Sequence, residues 1–96
     1  MKKIYGEYFA SGYAHSKEAK EIILDGINII QHLDNWESID SNIQAFGNYS
    51  NEKLLLDVYR IKLENRNIYF GCTETRMCWY IFFKFNKEDI DKLTLN

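Results

Sequence analysis

Arg60 and Lys62 stand two residues apart in the stretch DVYRIKL, residues 57–63. On a β-strand that spacing puts both side chains on one face and Tyr59, Ile61 and Leu63 on the other. Arg66 follows in the turn signal Asn65-Arg66-Asn67. Arg76 lies in the next turn, and Lys84 and Lys87 close the run. Guanidinium and ammonium groups gathered in this way can neutralise phosphates and stabilise charge in a phosphoryl transition state. The same residues also make an ordinary solvated sheet face. No other constellation competes. The chain lacks a glycine-rich phosphate loop, an H-E-x-x-H helix, a C-x-x-C pair and a nucleophile elbow. No pair of carboxylates stands on an apolar background as acid–base catalysis would need. His15 has no second ligand at a useful spacing and reads as a water-exposed loop histidine. Neither a metal nor a cofactor is expected.

The elements that must position these cations are legible from residue 54 onward. Residues 54–85 read as three antiparallel strands joined by tight turns. Clean alternation starts at Tyr59; Leu54, Leu55 and Leu56 break the period, so a bulge or strand start is expected near Asp57. The next strand spans residues 68–73 and the last residues 77–85. Both parities of that last strand are apolar: Met77, Trp79, Ile81, Phe83 and Phe85, and also Cys78, Tyr80 and Phe82. Such a strand belongs mid-sheet with a cover on each side. If Glu74-Thr75-Arg76 is a three-residue hairpin loop, Trp79 faces Gly71 and Cys72 faces Cys78. Two such cysteines sit near disulfide geometry. Free thiols are preferred here, with a redox-labile bridge as the alternative.

The first half reads as a strand and two helices. Residues 2–9 (KKIYGEYF) suit a strand with a bulge at Gly6, and residues 10–15 a turn. Ser16 suits an N-cap, after which Ala19, Ile22, Ile23, Ile27, Ile30 and Leu33 share one face of a helix over residues 16–33. Gly26 lies on that face, as close packing against a sheet would require. Asp34 and Glu37 fit a capping box, opening a second helix that carries Trp36, Ile39, Ile43 and Phe46 inward and ends at Gly47. Residues 48–52 form a polar loop. Asn86 caps a short last helix with Ile90 and Leu93 inward. The expected fold class is therefore α+β: an N-terminal strand, two helices packed on an antiparallel meander, and a short C-terminal helix.

Length and composition agree with one domain over residues 1–96. The 96 residues are 46% hydrophobic and 16% aromatic, which excludes intrinsic disorder. No apolar run approaches the roughly 20 residues of a membrane helix, and no apolar stretch follows Lys3 as a secretory signal would require. A cytoplasmic protein with two reduced cysteines, Cys72 and Cys78, is expected. The net charge of −2 hides an asymmetry. Residues 1–51 carry four Lys/Arg against seven Asp/Glu, whereas residues 59–87 carry six against two. A basic patch on the β half is thus compatible with an acidic whole, which is a poor general phosphate binder.

Residues 57–63 (DVYRIKL), 68–70 (IYF) and 78–89 (CWYIFFKFNKED) resemble the C-terminal sheet of the RelE/HigB toxin superfamily. The resemblance implies a RelE-like fold and a ribosome-dependent mRNA endoribonuclease of a toxin–antitoxin pair. Its partners would be mRNA on the ribosome and a cognate antitoxin. Arg60, Lys62 and Arg66 would be the catalytic cations, and Lys84, Lys87 and Arg76 would bind substrate or partner. Departures from the pattern are specific. The strand Asn67-Ile68-Tyr69-Phe70 lacks the family's Tyr-Arg, and no Tyr or His follows Phe85. These gaps, with the acidic first half and the many aromatics, motivate an alternative. It is a small non-enzymatic protein of phage or mobile-element type that binds and inhibits a partner such as a nuclease, as an anti-CRISPR-like inhibitor or an antitoxin does.

Overall fold

Period-2 alternation and a high content of β-branched and aromatic residues carry most of the chain into strands. A computed structural model describes residues 3–13, 21–46, 54–74 and 79–94. The chain forms β1 (Lys3–Tyr13), a small hairpin of β2 (Ile23–Leu24) and β3 (Ile27–Asn28), and a 3₁₀ segment (Ile29–Asn35). Then come β4 (Glu37–Phe46), β5 (Leu54–Lys62), β6 (Asn67–Glu74), β7 (Trp79–Phe85) and the helix α1 (Lys87–Thr94). The five long strands close into a barrel in the order β1-β4-β5-β6-β7. Closure comes from β1, whose start runs parallel to the end of β4 (Lys3 beside Gln44). The rest of β1 runs antiparallel to β7.

The α+β expectation is wrong in its helical half. Residues 16–20, where the first helix was to begin, lie outside the described residues, as does Gly47. Residues 23–28 are a β-hairpin turning at Asp25 (φ 50°) and Gly26 (φ 83°). An Asp-Gly pair between apolar residues is a strong short-range hairpin signal, because both positions need a left-handed backbone. Gly26 is therefore a turn residue, not a helix-packing one. Asn28 locks the hairpin to the 3₁₀ segment, its Oδ1 accepting from the amides of Ile22 and Ile30. The second helix is likewise absent: β4 occupies residues 37–46 and pairs antiparallel with β5. Two helices on a meander, the RelE-like architecture, are not what this chain builds.

Smaller expectations also shift. The first strand runs on through residues expected to be a turn, and its irregularity falls between Tyr8 and Ala10, not at Gly6. No bulge marks β5 near Asp57; the register shifts lie on β4, on either side of Asp40. The turn between β5 and β6 is one residue early, with the Leu63 amide donating to the Arg66 carbonyl at 2.8 Å.

The three strands after residue 54 do form the antiparallel meander, and β7 is covered on both faces. One face presents Ile61, Ile68, Phe70, Cys72 and Phe82, packed against Ile22, Leu24 and Ile29 from the segment before β4. The other presents Leu56, Ile81 and Phe83 in one cluster and Val58 with Ile43 and Leu93 of α1 in another. Each large apolar side chain so buried stabilises the fold by about 1.5–3 kcal/mol relative to exposure. Asn86 caps α1 as expected, its Oδ1 accepting from the Asp89 amide at 2.9 Å.

The β6–β7 register differs from a three-residue loop. Gly71 faces Phe83, Cys72 faces Phe82 and Glu74 faces Tyr80. Cys72 is thus not placed opposite Cys78, which lies outside the described residues, and Trp79 does not cover Gly71. The cover is Phe85: a Cβ at Gly71 would stand 2.7 Å from Phe85 Cζ and 2.9 Å from Leu56 Cδ1. A methyl group at residue 71 would have to displace the end of one of those side chains.

Candidate binding face

Alternation along β5 sends Tyr59 and Ile61 into the larger core and turns Arg60 and Lys62 away from it. The two cations share one face, continuing the row of Leu56 and Val58 toward the strand end. What they meet there is set by the neighbouring strands. Glu37 on β4 lies directly opposite Arg60, Tyr69 on β6 lies opposite it on the other side, and Asn67 lies opposite Lys62. Arg60 Nη2 donates to Glu37 Oε2 at 2.7 Å. Lys62 Nζ stands 4.0 Å from the other carboxylate oxygen. Arg60 is the more enclosed of the cations, with 27% of its side chain exposed against 61% for Lys62.

The electrostatics follow from this contact. The bond from Arg60 holds the Glu37 carboxyl below its ordinary value, with Lys62 adding to the effect. In return Glu37 raises Arg60, and Tyr69 contributes in the same direction. Arg60 Nε is buried and has no hydrogen-bond partner among the described residues. Beside the pair lies a shallow cleft of about 230 Å³ lined by Asp34, Asn35, Trp36, Glu37 and Lys62. Trp36 is fixed there by its indole N–H, which donates to the Ile29 carbonyl at 2.9 Å, and by ring contacts with Tyr59, Phe70 and Phe82.

The remaining sequence candidates do not converge on Arg60. Arg66 Nη2 donates to the Asp25 carbonyl at 2.7 Å and Nη1 to Asn65 Oδ1. It ties the β2–β3 turn to the β5–β6 turn. Lys84 sits 3.9 Å from Glu7 Oε2. The register of β7 puts it on the face of Phe82 and Tyr59, opposite Arg60. Lys87 is exposed in the first turn of α1. Arg76 and His15 lie outside the described residues. Glu37, Asn67 and Tyr69 were missed by sequence reasoning. Only the antiparallel pairing of β4 with β5 brings Glu37 to a cation 23 residues away, and no local signal announces such a pairing.

Two other chemistries are constrained. Cys72 is buried, and burial pushes its thiol up to about 12, with Asp57 and Glu74 adding to the rise. A thiol so protonated is a poor nucleophile and metal ligand. Among the described residues no three His, Cys, Asp or Glu side chains gather as a metal site, and no helix is long and apolar enough to cross a membrane. No family model, curated protein or solved structure matches the chain.

Proposed function

We propose that this is a non-enzymatic binding protein that inhibits or titrates a protein partner such as a nuclease. One observation carries the reading: Arg60, the central candidate cation, has its guanidinium committed to Glu37 at 2.7 Å. An arginine that must meet a scissile phosphate gains little from a carboxylate already bonded to it, since that carboxylate repels the phosphate. The same pairing suits protein recognition. It fixes an arginine opposite Tyr69, and both residue types are common interface anchors. The mixed charge gives orientation without strong attraction to nucleic acid.

The test is co-purification of the tagged full chain from cells that carry its partner. One protein retained in stoichiometric amount, through nuclease treatment and gel filtration, supports the reading. A clean monomer at micromolar concentration in the presence of candidate partners counts against it.

Ribosome-dependent mRNA cleavage is the second reading. What favours it is that Arg60 and Lys62 do share one face, with Tyr69 and Asn67 directly opposite them. Displacement of Glu37 on docking would then have to free Arg60. This reading calls for mRNA and the ribosome as partners, with a cognate antitoxin to hold the activity in check.

A further inference from the structure

We infer that the sheet carries a protein-docking surface around Leu55, Asp57 and Glu74, and that it takes a segment bearing lysine or arginine beside apolar side chains. This rests on the binding reading above and adds to the Arg60 face a second contact surface, with what a partner presents there. The surface lies on the face of Tyr59, opposite that of Arg60. Strand register assembles it: Asp57 pairs with Cys72, and Glu74 pairs with Tyr80. Leu55, Asp57 and Tyr59 alternate along β5 on this same side.

Three features mark this surface. Leu55 is 49% exposed, one of two large hydrophobic side chains so placed among the described residues. Tyr59 and Tyr80, on the same face, are half-buried. Both carboxylates are exposed and make no ion pair among the described residues, as is also true of Glu21, Asp25, Asp34, Glu64 and Glu88. Their charge is felt within the fold: burial first, then Asp57 and Glu74, raise the Tyr59 phenol and the Cys72 thiol.

An exposed leucine on a face that also carries two half-buried tyrosines can supply the apolar and aromatic part of an interface. Two carboxylates that make no ion pair among the described residues select the sign of what approaches and speed its arrival. A cation between them can also rest on a tyrosine face. Nucleic acid and anionic membranes carry the wrong charge for this surface.

The test is a titration of the isotopically labelled full chain, followed by NMR, with a synthetic peptide rich in lysine and leucine. The control is a peptide with glutamate in place of each lysine. The basic peptide is expected to shift the amides of Leu55, Asp57, Tyr59, Glu74 and Tyr80. Asp57→Asn with Glu74→Gln, both exposed and so compatible with folding, should weaken it by roughly tenfold. Shifts confined to another surface, equal affinity for the variant, or equal binding of the acidic peptide would overturn the inference, as would no binding at millimolar peptide. A co-purifying partner retained in full by Asp57→Asn/Glu74→Gln would likewise discard this surface while leaving the binding reading intact. A wild-type chain that holds no partner defeats that reading instead.

Discussion

Glu37 and Arg60 face each other across β4 and β5, and the Arg60 guanidinium donates to the carboxylate at 2.7 Å. The contact is partly open to water, with 43% of the Glu37 side chain and 27% of the Arg60 side chain exposed. It therefore positions more than it stabilises. Glu37→Gln and Arg60→Gln are each expected to lower the thermal midpoint slightly at neutral pH. The double variant should fall no further than either alone, as a double-mutant cycle would show for a coupled pair.

The pH dependence of that pair has a definite sign. Glu37 titrates below its ordinary value of 4.5 in the folded chain. Its contribution is therefore present above the unfolded value and lost as the pH falls through the lowered folded one. Midpoints of wild type and Glu37→Gln should differ at neutral pH and converge in acid, and added salt should narrow the neutral difference.

Gly26 separates two folds of the same residues. In a helix interior, Gly26→Ala would stabilise by about 1 kcal/mol. At φ 83° in the β2–β3 turn, the added Cβ is expected to cost roughly 1–2 kcal/mol instead. Chemical denaturation of the single variant gives the sign directly.

Gly71→Ala forces a methyl group against Phe85 and Leu56 at contacts of 2.7 and 2.9 Å. Overpacking of this kind costs about 1–3 kcal/mol. Phe85→Leu removes the nearer atom, so Gly71→Ala should cost less in the Phe85→Leu background than in the wild type. Equal destabilisation in both backgrounds would mean that Phe85 does not lie over the glycine.

Cys72 should resist alkylation while the chain is folded, because its thiol is buried and stays protonated up to about 12. In a Cys78→Ser background, iodoacetamide at mildly alkaline pH is expected to label Cys72 only as denaturant unfolds the protein. Rapid labelling without denaturant would contradict its placement in the core.

The β half was legible because its pattern has only one reading. Tyr59-Arg60-Ile61-Lys62 alternates strictly, and the doubly apolar β7 demanded cover on both faces, which the two core clusters supply. The segment before it misled for identifiable reasons. Ile39 and Ile43 are four apart, a spacing that keeps a face on a helix and on a strand alike. Each of the two register shifts on β4 sets one extra residue against β5, so parity is restored between them. Ile22, Ile23 and Ile27 fell on one helical face, yet Asp25-Gly26 between them was the stronger signal, because turn chemistry overrides a short periodicity.

The site was legible only in part. Arg60 and Lys62 share a face on local grounds alone. The partner that neutralises them depends on β4, whose pairing was not foreseen, and Lys84 fell on the opposite face once the register was fixed. Asp57 and Glu74 share a face only through the β5–β6 register, so neither stood out in the chain.

The most direct test of whether Arg60 is held for recognition rather than catalysis is transcriptome-wide mapping of mRNA 5′ ends. Wild type and Arg60→Ala/Lys62→Ala would each be expressed without any antitoxin. The expected result is one and the same set of ends for both proteins, with unimpaired growth. Ends that appear with the wild type, halt growth and vanish with the double variant would show that Glu37 releases Arg60 for cleavage, and would contradict the binding reading.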